Sequence, residues 1–503
     1  MLLIAIKKKI SSDGLICDCF LIHPVEKDNL PTIYFERFKT RGMKKSQVTL
    51  TKSLLFFSLL PGVISFLSFQ KDEPLRLLPD KSHPASSYNS DVLDKWMTMQ
   101  TRLMSVTPAN FNGPFVRIYA YSGVAAYASV YPGISKKTTG LFLMSALNAM
   151  PDLPQPVPKK KYHWPSSLNA ALAFMNRSMF PMASATSKAA IDSLEKAINE
   201  AITRMTDEAT AALSAEYGKQ VATKIFSWAE MDGYRNGSDP YTPPAGRGLW
   251  KPTAPKYASA VTPYWGKLRT IVAGSNENTQ PAPPPMYSED TVSFFYRMVK
   301  QVYDISTQLT TEQKNIALFW KDINPGVTAP GHWLNILRQV IQRENIPLDK
   351  AALAYALTGI ALNDAWISSW KTRYTYNLLR PITYIQTVMG HKEWTPTIAT
   401  PPHPEYPGGH ATMSASVAEV LTELFGNNYS FTDHTYDQFG MMPRTYSSFW
   451  TIAREAAISK VYGGIHYRLS VDVGLQQGKD VTQNIIGILL NKGNKVTPKS
   501  GIN

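Results

Sequence analysis

The stretch Asp349–Trp370, DKAALAYALTGIALNDAWISSW, decides the fold class. Its Leu353, Leu357, Ile360 and Ile367 recur at three-, four- and seven-residue spacing, which puts them on one stripe of a helix and predicts an amphipathic helix buried against others. The same spacing recurs upstream in Asp91–Val106, Pro114–Tyr131, Asp290–Ile305, Thr311–Trp320 and His332–Gln342. Residues 184–234, rich in Ala, Glu and Lys and free of proline, predict one long helix or a bent pair. Three more helices are expected at 411–425, 446–461 and 470–491. Period-2 alternation is nearly absent and no repeat is visible, so the expected fold is all-α, built of helical bundles with long Pro-rich loops.

Residues 236–290 differ from this pattern. Pro243, Pro244, Pro252, Pro255 and Pro281 to Pro285 exclude regular helix, and Trp250 and Trp265 lie among them. An ordered wrapping loop is expected, either a lid over a site or a surface wrap.

With 44% hydrophobic and 18% charged residues the chain can bury a large core. The net charge of +14 suits an anionic partner. However, Lys and Arg are scattered, with short runs only at Lys7–Lys9 and Lys159–Lys161, and no basic stripe is interleaved with aromatics, so no nucleic-acid partner is expected.

The N-terminal segments read as outside the main fold. From Met43, two lysines lead into an apolar stretch broken by Pro61 and then into polar Gln70–Glu73, as an export signal requires. The expected division is an extension over 1–42, a signal over 43–70, a linker over 71–90 and a helical domain over 91–495. Both cysteines, Cys17 and Cys19, precede the signal, so the expected mature chain has no disulfide framework. No later apolar run approaches the roughly 20 residues of a membrane span. An exported protein, periplasmic or extracellular, is expected. Retention through an uncleaved signal and a homodimer both stay open.

Three segments within 366–475 carry the chemistry. Arg373 and Arg380 are seven residues apart, so both guanidinium groups can leave one helical face if the helix persists. Pro407-Gly408-Gly409-His410 leads into a helix whose free N–H groups and dipole suit an anion, with glycines that allow close backbone approach. In Ala456–Gly474 the pair Gly463-Gly464 breaks a helix and can fold His466 back beside Lys460. Two histidines surrounded by Arg and Lys repel a cation, so a zinc site made of His403 and His410 is disfavoured and a tetrahedral oxyanion is the expected guest.

These blocks, Arg373 through Arg380-Pro381, Pro407 through His410, and Ser459-Lys460 through His466, resemble the vanadium-dependent haloperoxidase and type 2 phosphatidic acid phosphatase superfamily. The similarity is greatest to the soluble bacterial haloperoxidase-like branch and reaches upstream through Pro330–Asn335 to Tyr119–Gly133. The resemblance implies that His466 bonds to the oxyanion centre, as axial ligand of vanadate or as nucleophile of a phosphatase, with His410 as acid–base partner. It further implies that Arg373, Arg380 and Lys460 neutralise the equatorial oxygens and that the Gly408-Gly409 backbone donates to them. Four positions depart from the family pattern. Arg373 and Lys460 exchange the usual Lys and Arg, Gly408 replaces a serine, and Ser470 stands where an acid supports the histidine, leaving Asp472 as the expected support for His466. The implied activities are vanadate-dependent oxidation of halide by peroxide, or hydrolysis of a phosphate ester through a phosphohistidine in the same pocket. An inactive oxyanion-binding envelope protein is the third reading.

Overall fold

The computed structural model describes residues 2–11, 14–27, 30–40, 82–108, 113–135, 143–322 and 326–494. It divides into two units, Met1–Leu77 and Leu78–Asn503. The first contains an antiparallel three-stranded sheet in the order β1 (Leu2–Ser11), β2 (Gly14–Lys27), β3 (Leu30–Thr40), with Ser11 paired to Gly14 and Lys27 to Leu30. Strand was not expected there. The expected signal, residues 43–70, and most of the 71–90 linker lie outside the described residues.

The second unit is helical, in keeping with the all-α expectation. Its described helices are α1 (Asp91–Val106), α2 (Gly113–Val130), α3 (Leu143–Ala146), α4 (Trp164–Met179), α5 (Ala185–Ile202), α6 (Glu208–Ala229) and α7 (Phe294–Thr307). They continue with α8 (Thr311–Phe319), α9 (Ala329–Arg343), α10 (Leu348–Tyr376), α11 (Pro381–Thr387), α12 (Gly409–Phe425), α13 (Phe449–Tyr462) and α14 (Arg468–Asn494). A short hairpin of β4 (Phe431–Asp433) and β5 (Arg444–Tyr446) separates α12 from α13. Residues 184–234 are the bent pair: Asp207 caps α6 by accepting from the Thr210 N–H at 2.8 Å, so the chain restarts there. None of the described helices is long and apolar enough to cross a membrane.

The long helix α10 is the axis. Almost every residue from Leu348 to Arg373 is buried, so the helix is covered on all sides and the expected single buried stripe widens to its whole girth. It packs on α2, where Gly123 and Gly359 let the backbones meet: a Cβ at Gly123 would stand 2.8 Å from the Tyr355 carbonyl, and one at Gly359 2.8 Å from Ala120 Cα. Its other face meets α12 and α14, and α13 packs across those two. The C-terminal bundle thus brings the ends of α10 and α13 and the starts of α12 and α14 to one place.

The Pro-rich segment between α6 and α7 braces the end of α10 through its backbone. Trp250 N–H donates to the Asn377 carbonyl at 2.6 Å, Leu379 N–H to Gly248 at 3.0 Å, and Val261 N–H to Pro402 at 3.0 Å. Trp250 and Trp265 are buried. Of the two expected roles the wrap is the one the contacts describe.

Candidate active site

Arg373 and Arg380 do converge, though not along one helix. Asn377 adopts a left-handed conformation (φ +46°) and ends α10, leaving Arg380 extended as the residue before α11. Their guanidinium groups meet at His403, whose Nδ1 lies 2.8 Å from Arg373 Nη1 and 2.9 Å from Arg380 Nη2. Two cationic donors aimed at one ring nitrogen fix it as an acceptor, so the His403 proton sits on Nε2. The Pro404 carbonyl, 3.1 Å from that nitrogen, accepts from Arg373 instead. Burial and the two arginines hold His403 well below the ordinary histidine range.

His466 follows the break that Gly463 and Gly464 make at the end of α13, Gly464 lying at φ +77°. Its Nδ1 is 2.7 Å from Glu405 Oε1, and its Nε2 is 3.4 Å from Arg380 Nη1. Glu405 also accepts from Tyr467 N–H at 3.0 Å and from Ser470 Oγ at 2.6 Å. A carboxylate with these donors takes the Nδ1 proton of His466 as a hydrogen bond, so the Nε2 lone pair is left facing the guanidinium cluster. Burial pushes Glu405 up to about 7 against the lowering pull of Ser470 and Arg380. Burial and the arginines push His466 well down, which keeps it neutral and its lone pair available.

Asp472, the expected support for His466, does not reach it. It lies half exposed one turn along α14 and pairs with Arg468 at 3.0 Å. Helical spacing explains the difference: Asp472 and Arg468 are i and i+4 on an outward face, whereas Ser470 points inward to Glu405.

His410 is in the first turn of α12. The residue before the helix is Gly408 and no side chain caps it, so the first N–H groups keep their capacity for an anion. A Cβ at Gly409 would stand 3.1 Å from Arg373 Nη2 and 3.2 Å from Trp366, so glycine lets this helix start reach the arginine. His410 Nε2 is 3.5 Å from Asp322 Oδ2. Burial and Lys460 lower His410 to about 4, against the opposing pull of Asp322.

Lys460 meets the His410 side of the cluster: its Nζ donates to the Trp320 carbonyl, and it faces Asp322 and His410. Burial lowers it to about 8, with Asp322 holding it up. The cluster therefore has two halves: Arg373, Arg380, His403, His466 and Glu405 on one side, and Lys460, Asp322 and His410 on the other. His410 is near enough to His466 for a positive charge on it to add to the downward push on that ring.

An oxyanion fits these residues. Two buried guanidinium groups face a single carboxylate, Glu405, beside an uncapped helix start. Arg373 Nε is buried without a hydrogen-bond partner, so the site retains donor capacity.

One helical bundle thus gathers cationic side chains and the histidines His403, His410 and His466 beside the uncapped start of α12. A profile of the VCPO second helical-bundle domain matches residues 353–492, the helices that build the site. A bacterial vanadium-dependent iodoperoxidase of known structure is 32% identical, superposes with a TM-score of 0.71, and is matched over 83% of this chain and 98% of its own. The chain belongs to the vanadium-dependent haloperoxidase family. A bacterial vanadium-dependent chloroperoxidase shares the fold at 16% identity, with a TM-score of 0.59 over 81% of this chain and 99% of its own. The vanadium chloroperoxidase of Curvularia inaequalis is 25% identical over 288 residues, 43% of this chain, and the match spans only about half, 47%, of that relative's length.

Glu405, His403 and Asp322 were not among the expected site residues. Glu405 had a local signal: a carboxylate within Pro401-Pro402-His403-Pro404-Glu405-Tyr406-Pro407, the Pro-rich segment directly before Gly408-Gly409-His410. Asp322 gave none, because its partners are distant in sequence.

Proposed function

We propose that the chain is a vanadate-dependent haloperoxidase that oxidises halide with hydrogen peroxide, consuming one proton and releasing hypohalous acid and water. The observation that carries this is the placement of His466: Nδ1 lies 2.7 Å from Glu405 Oε1, which turns Nε2 toward Arg380 Nη1 at 3.4 Å. His466 would hold vanadate through Nε2, and Arg373, Arg380, Lys460 and the Gly409 backbone N–H would surround its oxygens, the Gly408 N–H being engaged by the Ser470 carbonyl at 2.8 Å. Bound vanadate supplies Lewis-acid activation of peroxide toward two-electron oxidation of the halide. The protein neutralises the oxyanion charge with the arginines and excludes bulk water by burying them. His410, neutral at pH 7, takes a proton from incoming peroxide and returns it to the departing oxygen, a role worth roughly 10²–10⁴ in rate. Iodide is the halide to test first, since the 32% identical relative is an iodoperoxidase.

The full chain, loaded with orthovanadate, is assayed for iodide and bromide oxidation and for phenyl phosphate hydrolysis, alongside His466→Ala. Vanadate-dependent halide oxidation lost in His466→Ala is expected. Phosphate hydrolysis inhibited by vanadate, without halide oxidation, would assign the site to a phosphatase, and absence of both activities and of vanadate binding would leave a silent oxyanion-binding protein.

A further inference from the structure

Behind His410 lies a second histidine that the proposed reaction does not use. His332, in the first turn of α9, has no solvent exposure, and both ring nitrogens are engaged by carboxylates: Nδ1 by Asp322 Oδ1 at 2.9 Å and Nε2 by Asp433 Oδ2 at 2.7 Å. The outer carboxylate is saturated with donors, since Asp433 Oδ1 accepts from Thr435 N–H at 2.9 Å, Thr435 Oγ1 at 2.6 Å and Gln339 Nε2 at 3.3 Å. The inner one accepts the Tyr436 hydroxyl at 2.7 Å on the oxygen that meets His332. Its other oxygen, Oδ2, faces His410 Nε2 at 3.5 Å without a closer hydrogen-bond partner. Trp320 stacks on the His332 ring at 4.4 Å and 18°, which fixes the ring plane.

Stability does not account for this arrangement. A buried ionic triad gains little over an apolar replacement, and a cation in the first turn of α9 opposes the helix dipole. Asp322 is moreover held at φ +46°, a left-handed conformation that costs energy unless its surroundings impose it. What the arrangement does achieve is to aim one carboxylate oxygen at His410.

We propose that His332 is a positioning residue for the acid–base histidine: an imidazolium whose two N–H groups clamp Asp322 against Asp433, directing Asp322 Oδ2 at His410 Nε2, while its positive charge limits the proton affinity that Asp322 confers on His410. The inference rests on the acid–base role given to His410 above. The charged groups around His332 are Asp322 and Asp433, with the Tyr436 hydroxyl beside them. Those around His410 are Asp322, Lys460 and His332, with His403 and His466 across the site. Burial alone would strip the proton from His332, and the two carboxylates outweigh it and raise the ring to about 10.

The test follows the histidine ring nitrogens of the full chain by 15N NMR between pH 5 and 9, in wild type and in His332→Gln, which keeps amide donors and removes the charge. Wild-type His332 is expected to stay doubly protonated at pH 7, and a neutral ring there would overturn the proposal whether or not the variant folds. In folded His332→Gln the titration of His410 is expected to move up by roughly one unit, and the pH profile of halide oxidation with it. A folded His332→Gln with His410 titrating as in wild type would reduce His332 to a packing residue. The ring titrations need no turnover, so they decide this point even if the His466→Ala assay shows that the chain is not a haloperoxidase.

Discussion

Glu405 Oε1 lies 2.7 Å from His466 Nδ1, and this contact determines which nitrogen of the histidine faces the arginines. A carboxylate can only accept, so it holds the proton on Nδ1, whereas an amide can present either an oxygen or an N–H to the ring. Glu405→Gln is therefore expected to mix the two tautomers and weaken vanadate binding by roughly 10–100-fold, the usual effect of losing a partner that orients a metal-bound histidine. Equilibrium titration with orthovanadate checks this, and an unchanged affinity would remove Glu405 from the site's machinery.

The same carboxyl gives a pH signature of opposite sign. Burial raises Glu405 from its ordinary value near 4.5 to about 7, so its folded-state contribution to stability is full below about 4.5 and is lost as pH rises through 7. Glu405→Gln has no such titration. The stability of the variant relative to wild type should thus increase between pH 5 and 8, on the order of 1–3 kcal/mol, even as vanadate binding weakens. Thermal unfolding across that range measures it, and parallel curves for the two proteins would show that Glu405 does not titrate there.

His410 carries the reverse slope. Burial and Lys460 lower it to about 4, so the folded chain binds fewer protons than the unfolded chain between pH 4 and 6.5. Stability from this residue is present above 6.5 and is lost as pH falls toward 4. In His410→Gln the acid-side decline in Tm should be shallower, and the halide-oxidation rate should fall by roughly 10²-fold or more. A variant with a wild-type decline would place the acid sensitivity in other groups.

The residues of this site were legible in the sequence wherever the signal was local. Gly408-Gly409 before a periodic run announced the start of α12, and Gly463-Gly464 announced the break before His466, because glycine acts on its own stretch of chain. The pairing of Arg373 with Arg380 was legible for a different reason than expected, since the turn at Asn377, not helical spacing, brings them together at His403. Asp472 was misassigned because proximity in sequence was used for a contact that the fold makes with Glu405, 61 residues before His466. The Asp322–His332–Asp433 line joins residues 10 and 101 positions apart, which periodicity within one helix cannot encode.

Gly408 offers a test of how tightly the oxyanion loop is built. From the sequence, Gly408→Ser restores a hydroxyl donor and is expected to raise oxyanion affinity. In the structure a Cβ at 408 would stand 3.1 Å from Val471 Cα and Cγ1 and 3.2 Å from the Ser470 carbonyl, while Gly408 N–H already donates to that carbonyl at 2.8 Å. The backbone at 408 lies at φ −69°, so the obstacle is packing and not conformation. The serine must push against the start of α14, the turn that holds Ser470 on Glu405, so the single variant is expected to lose about 1–2 kcal/mol of stability. Because Val471 Cγ1 is a side-chain contact, Val471→Ala should relieve part of this strain, and the pair should be non-additive by about 0.5 kcal/mol or more. Gly408→Ser/Val471→Ala is then the variant in which the added hydroxyl should tighten vanadate binding relative to Val471→Ala alone. Denaturant unfolding and vanadate titration of all four proteins complete the cycle, and additive stabilities with no gain in affinity would mean that residue 408 does not face the oxyanion.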